Sequence, residues 1–152
     1  MATETEVRLV QEIERLKRQV ERLKVGEMPT GGFVPLTTPL TSTSWDGDSF
    51  STTAKTLIDL SAVFNAPAGI RACLFVISLR DSASQTNDCY FYIGATDVQY
   101  EGACINCGYT DDRWNRGTLL APCDANGDCY YELNASGTNT MDIYLSIIGY
   151  WL

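Results

Sequence analysis

Residues 70–80, IRACLFVISLR, decide the fold class. Successive side chains of a β-strand point to opposite faces, and here both sets are apolar. Ala72, Leu74 and Val76 line one face, and Cys73, Phe75, Ile77 and Leu79 line the other. Working outward, further strands are expected at 56–60, 89–94, 102–109, 117–121, 129–134 and 141–151. Turn-rich pieces such as NAPAG, DSASQTND, DANGD and NASGTN separate them, and no helix is expected from Lys55 onward. Short strands at this spacing predict a mainly β protein, an antiparallel sandwich or jelly roll. In the last strand Met141, Ile143, Leu145 and Ile147 share a face, while the opposite face begins with Asp142 and Ser146 and ends with Ile148, Tyr150 and Leu152. A chain end reading GYWL would fray into water unless covered. Ile148, Tyr150, Trp151 and Leu152 are therefore expected to be buried against a sister subunit; burial between the two sheets of one sandwich gives the same pattern.

The N-terminal segment follows a different period. Leu9, Ile13, Leu16, Val20 and Leu23 recur at alternating spacings of four and three, a heptad with Leu at d and β-branched residues at a. Glu12 at g precedes Lys17 at e by five residues, the spacing of an interchain ion pair in a parallel coiled coil. Residues 1–28 are thus expected to form an oligomerisation helix, ended by Gly26 and Pro29. Three heptads alone are marginal in water, so the β knob must help hold the oligomer together. Branched a with Leu at d favours dimers in isolated peptides. Residues 29–54, rich in Thr, Ser, Pro and Gly, are expected to form an extended linker, with Phe33, Val34, Leu36 and Leu40 available to lie along the knob, which spans 55–152. Asp46-Gly47-Asp48 is a turn signal.

Charge narrows the partners. Residues 1–28 carry equal numbers of Lys/Arg and Glu, so the net charge of −8 belongs to residues 29–152. An acidic knob offers nothing to displace the counterions of nucleic acid or an anionic membrane. No apolar run approaches the roughly 20 residues of a membrane span, and the N-terminus lacks the basic-then-apolar order of a Sec signal. There is no histidine, which removes the Ser–His and Cys–His nucleophile pairs and the commonest metal ligand. With no Gly-rich phosphate loop either, neither an enzyme nor a cofactor is expected. Adjacent carboxylates such as Asp111/Asp112 or Asp46/Asp48 suit a solvated turn better than glycoside hydrolysis.

Six cysteines stand at 73, 89, 104, 107, 123 and 129. Cys73 and Cys89 fall in strands and are expected to be buried packing thiols. Cys104, Cys107, Cys123 and Cys129 are spaced C-x2-C-x15-C-x5-C, near a zinc ribbon except in the last gap, so a four-cysteine zinc site is the alternative to no metal. Cys123 and Cys129 flank a loop that favours a tight Asn126-Gly127 turn. In a hairpin that turn sets the two sulfurs on opposite faces and excludes a disulfide; with all five residues 124–128 in the loop, the alternative, the two cysteines face each other and a disulfide is open to them. Asp124-x-Asn126-x-Asp128 lacks the Gly and the bidentate Glu of an EF-hand.

One loop gathers ligand-binding chemistry. Tyr109, Asp111, Asp112, Arg113, Trp114 and Arg116 lie within residues 106–116, NCGYTDDRWNR. Rings stack on sugar faces while Asp, Asn and Arg bind hydroxyls, so a glycan site has this composition; a loop whose Trp packs on the knob is the alternative.

The stretch TTPLTSTSWDGDSFSTTAKTLIDLSAVFNAPAGIRA, with CDANGDCYYELNASG and the closing IIGYWL, resembles small structural proteins of tailed bacteriophages. These are tail-fibre, head-fibre and receptor-binding appendages, and capsid decoration proteins. The resemblance implies a homotrimeric virion component with jelly-roll knobs, assembled among other virion proteins in the host cytoplasm and released by lysis. It carries no functional residue across. It leaves two functions: an appendage that binds a host-surface glycan or protein, or a cement that stabilises the phage head.

Overall fold

The structure is a computed structural model that describes residues 13, 17, 32–45, 47, 55–83, 89–107 and 112–152. The chain divides into two compact units, Met1–Gly32 and Phe33–Leu152. In the first, Ile13 and Lys17 are helical and exposed. The other expected heptad positions, Leu9, Leu16, Val20 and Leu23, lie outside the described residues.

The second unit is mainly β. Its elements are β1 (Phe33–Thr41), β2 (Thr56–Ile58), α1 (Leu60–Phe64), β3 (Ala72–Asp81), β4 (Tyr90–Gly94), β5 (Ala103–Asn106), β6 (Asn115–Pro122), β7 (Cys129–Asn134) and β8 (Met141–Trp151). They form two four-stranded sheets, ordered β1-β8-β3-β6 and β2-β7-β4-β5, and the paired strands run antiparallel. Successive strands alternate between the sheets except at β4–β5. One core joins both sheets, with Phe75, Ile77 and Leu79 from β3, Ile147 from β8, Phe91 and Ile93 from β4, and Tyr131 and Leu133 from β7 all buried. This arrangement accounts for the apolar pattern of residues 70–80: β3 is flanked on both edges and sends its odd-numbered side chains inward.

Two expectations are corrected here. The knob begins at Phe33, not Lys55, because part of the expected linker is β1. Among the described residues this strand pairs only with β8 and so lies at the sheet edge, where Pro35 and Pro39 cost no ladder hydrogen bond on the open side. Its register slips between Pro35 and Leu40. Trp45 follows and packs against both Phe64 and Tyr131, ring centroids 6.3 and 5.5 Å apart. The Asp46 and Asp48 carboxylates lie outside the described residues. Secondly, residues 60–64 are helical. A single turn is too short to show a helical period, but it is capped. Asp59 accepts from the Ala62 N–H at 2.8 Å, and Asn65 closes the turn in the left-handed region at φ 54°. Asp128 adds a long-range tie, accepting from the Leu60 N–H at 3.0 Å.

The 95–102 connection folds over the outer face of the second sheet. Tyr100 donates its backbone N–H to Glu132 Oε1 at 2.7 Å, and its ring meets Tyr90 and Tyr92 edge-on at 5.9 and 6.0 Å. Gly102 makes the return possible. It sits at φ +112°, and a Cβ there would fall 2.3 Å from the Ile93 carbonyl oxygen.

Candidate functional site

β8 explains the C-terminal pattern within one chain. It lies between β1 and β3, with Met141, Ile143, Leu145 and Ile147 in the core. A shift of register between Leu74 and Phe75 sets Ile147 opposite Phe75 and Gly149 opposite Leu74. Tyr150 is thereby paired with Cys73, on the inner side, and packs on the core. Trp151 is paired with Ala72, on the outer side, and its ring lies 4.5 Å from Phe33. Ile148 is half-buried, and Leu152 is exposed.

Directly paired residues share a face, so the ladder gives the outer face of the first sheet. Ala72, Leu74 and Val76 line up with Trp151, Gly149 and Ser146 on one side and with Pro122, Leu120 and Thr118 on the other. None of these nine residues is charged. Leu120 is 53% exposed and Phe33 at the rim is exposed as well, so this face is an open apolar surface.

At the other end of the same face the chemistry changes. Arg80 is paired with Asp142, and its guanidinium donates through Nε at 2.8 Å and through Nη2 to Asp142 Oδ2. Nη1 lies 3.2 Å from Asp112 Oδ1. The bond to Asp142, with the added charge of Asp112, raises the Arg80 pKa further above its ordinary value, so the group is permanently cationic. Asp112 reaches this position because its backbone is left-handed at φ 53° and its N–H donates to the Asp81 carbonyl at 3.0 Å. The guanidinium lies 4.9 Å from the centroid of the Trp114 ring, a cation–π contact. Trp114 in turn meets Tyr144 at 5.3 Å with a 32° tilt. Ser78 sits between Tyr144 and Arg116 in the ladder, and its small side chain leaves the space over β3 to the rings. Ser78 is only 7% exposed, whereas Trp114 and Tyr144 remain 43% and 67% exposed.

The result is a solvent-facing platform: two rings, a guanidinium held by Asp142 and Asp112, and those two part-exposed carboxylates. Rings of this kind cover the apolar face of a sugar or a flat peptide segment, and the carboxylates accept from hydroxyls beside them. Of the residues expected from sequence, Asp112 and Trp114 are in the platform. Arg116 is exposed one ladder row away, and Arg113 is exposed beside Trp114. Tyr109 and Asp111 lie outside the described residues. Arg80, Asp142 and Tyr144 were not legible as site residues, since they come from β3 and β8 and only strand pairing brings them to residues 112–116.

The cysteines do not follow the zinc-ribbon alternative. Cys107 receives its neighbour in Cys89, Cys104 lies by Asn106 and Tyr92, and Cys123 lies by Cys129 and Cys73. Among the described residues no group of three or more metal-ligating side chains is arranged to hold an ion. The expected separation of Cys123 from Cys129 is also corrected. β6 and β7 belong to different sheets, so residues 124–128 cross the sandwich and are not a hairpin within one sheet, and the two sulfurs are 3.7 Å apart. Among the described residues no helix is long and apolar enough to cross a membrane. No protein-family model matches the chain, and neither does any curated protein or solved structure.

Proposed function

We propose that the chain is a non-enzymatic structural protein of a tailed-bacteriophage particle. It is a short homotrimeric fibre whose N-terminal heptads bundle into a stem and whose knob binds a host-surface glycan. The observation that carries the binding role is the Trp114–Tyr144 platform, held open to solvent beside an Arg80 fixed by Asp142 and Asp112. Large aromatic rings are costly to leave in water, and exposed groups of them mark interaction sites.

Two further observations support the assembly. The strand order β1-β8-β3-β6 with β2-β7-β4-β5 supports reading the knob as a jelly roll, two Greek keys folded into facing sheets. The uncharged apolar stripe of Leu74, Val76, Leu120, Phe33 and Trp151 suits contact with sister knobs. It lacks the like charges that an acidic protein would otherwise bring together. Three platforms on one trimer then act together, so that weak single sites give firm attachment.

A glycan array of bacterial surface polysaccharides tests the binding role. The full chain is expected to bind at least one polysaccharide class, and Trp114→Ala to weaken that binding by about tenfold or more without changing the melting temperature of the knob by more than a degree or two. Undiminished binding by Trp114→Ala overturns the assignment of the platform. Binding only to assembled capsid shells, and to no glycan, would replace the fibre by a decoration protein.

A further inference from the structure

Three of the six cysteines meet where the chain passes from one sheet to the other. Cys73 projects from β3 into the core, Cys129 opens β7 in the facing sheet, and Cys123 follows the end of β6. Cys123 Sγ lies 3.7 Å from Cys129 Sγ and 4.0 Å from Cys73 Sγ. All three are free thiols, Cys73 and Cys129 buried and Cys123 half-exposed. We propose that this cluster is a redox site, in which Cys123 is the thiol oxidised first and Cys129 closes a disulfide with it.

The geometry selects both members. Cys123 is the only one of the three with solvent access, and it touches both others. Closing a disulfide requires the sulfurs to approach to about 2.05 Å. Cys73 has little freedom to move, since β3 is hydrogen-bonded to β6 on one side and β8 on the other. Cys123 lies beyond the last paired residue of β6, and rotation of its side chain supplies the approach to Cys129. The sulfur contacts with Cys129 and Cys73 also hold the Cys123 thiol well below its ordinary pKa, at about 4, while the same contacts and burial push the two partners upward. The nucleophilic thiolate is thus the accessible one. The other close pair behaves differently: burial pushes Cys107, beside Cys89, up to about 12, and both are shielded from solvent.

With hydrogen peroxide as the oxidant the steps balance. The Cys123 thiolate attacks one peroxide oxygen, the O–O bond breaks, and hydroxide leaves to take up a proton as water, giving a sulfenic acid. The Cys129 sulfur then attacks the sulfenic sulfur. The S–O bond breaks, and the departing hydroxide takes the Cys129 proton as a second water. Two thiols lose two electrons and two protons, and one peroxide becomes two waters. The product ties the end of β6 to the start of β7 by a covalent bond across the sandwich.

The full-length protein, reduced and then treated with hydrogen peroxide, is alkylated and mapped by mass spectrometry. Cys123 and Cys129 are expected to lose alkylation together, to appear as a linked pair, and to recover with dithiothreitol. Cys123→Ser is expected to abolish that product, and Cys129→Ser to leave Cys123 as a dimedone-trapped sulfenic acid or joined to Cys73. Retention of full Cys123 alkylation after peroxide, or an oxidation pattern unaltered by Cys123→Ser, overturns the proposal.

Discussion

Replacing Phe91 by Ala is expected to destabilise the knob by about 3–5 kcal/mol, a large share of the roughly 5–15 kcal/mol that holds a domain of this size together. Phe91 is fully buried at the centre of the second sheet. It is paired with Ile105 on β5 and Leu133 on β7. Its ring lies 5.7 Å from Tyr131, which in turn meets Trp45 at 5.5 Å. Truncation leaves a cavity bounded by strands on both sides, and such a wall relaxes little. Phe91→Leu, which fills most of the space, is expected to cost much less. Leu120→Ala, on the open outer face of the first sheet, is expected to change the stability of an isolated knob by no more than about 0.5 kcal/mol. Urea unfolding measures all three, and an unchanged denaturant slope shows that the effect lies in the folded state.

Asp81→Asn is expected to cost about 3 kcal/mol at neutral pH. The Asp81 carboxylate is buried at the end of β3, where it organises three segments. Oδ1 accepts from the Ala83 N–H at 3.0 Å and from the Ser136 hydroxyl. Oδ2 accepts from the Ser136 N–H at 2.8 Å and the Thr140 hydroxyl at 3.3 Å. Both oxygens face donors, so an amide nitrogen in either position meets an N–H or O–H head-on. Burial acts to raise the Asp81 pKa, but the bonds from Ser136, Ala83 and Cys89 outweigh it and hold the group below its ordinary value. A carboxylate depressed in the folded state gives stability that is fully present above its unfolded pKa of about 3.9 and is lost as pH falls through the folded value. The gap between wild type and Asp81→Asn is therefore expected to be constant from pH 7 to about 5 and to shrink below about 4. Thermal melts across that range check it.

Among the described residues, seven of the eight strands are legible from alternation and turn residues, and for 129–134 and 141–151 the bounds agree with the structure. β1 is not, because its two prolines and threonines have the composition of a linker, and only its edge position makes them compatible with a strand. Helix α1 is missed because five residues make little more than one turn. At the candidate site, Trp114 and Asp112 stand out by type within one loop. Arg80 and Asp142 look like the polar ends of two ordinary strands until the ladder sets them opposite each other. Cys123 and Cys129 show the same limit. Their relation depends on whether the connection stays in one sheet or crosses to the other, and that is a property of topology, not of local sequence.

The claim that the chain works as a trimer is tested most directly by light scattering on the full-length protein and on residues 33–152, in reducing buffer. The account predicts a mass three times the 16.8 kDa of one chain for the full-length protein. It also predicts that residues 33–152 retain a concentration-dependent tendency to the same three-fold species, carried by the apolar face around Leu74 and Leu120. A full chain that remains a monomer or dimer at all concentrations would contradict the trimeric fibre.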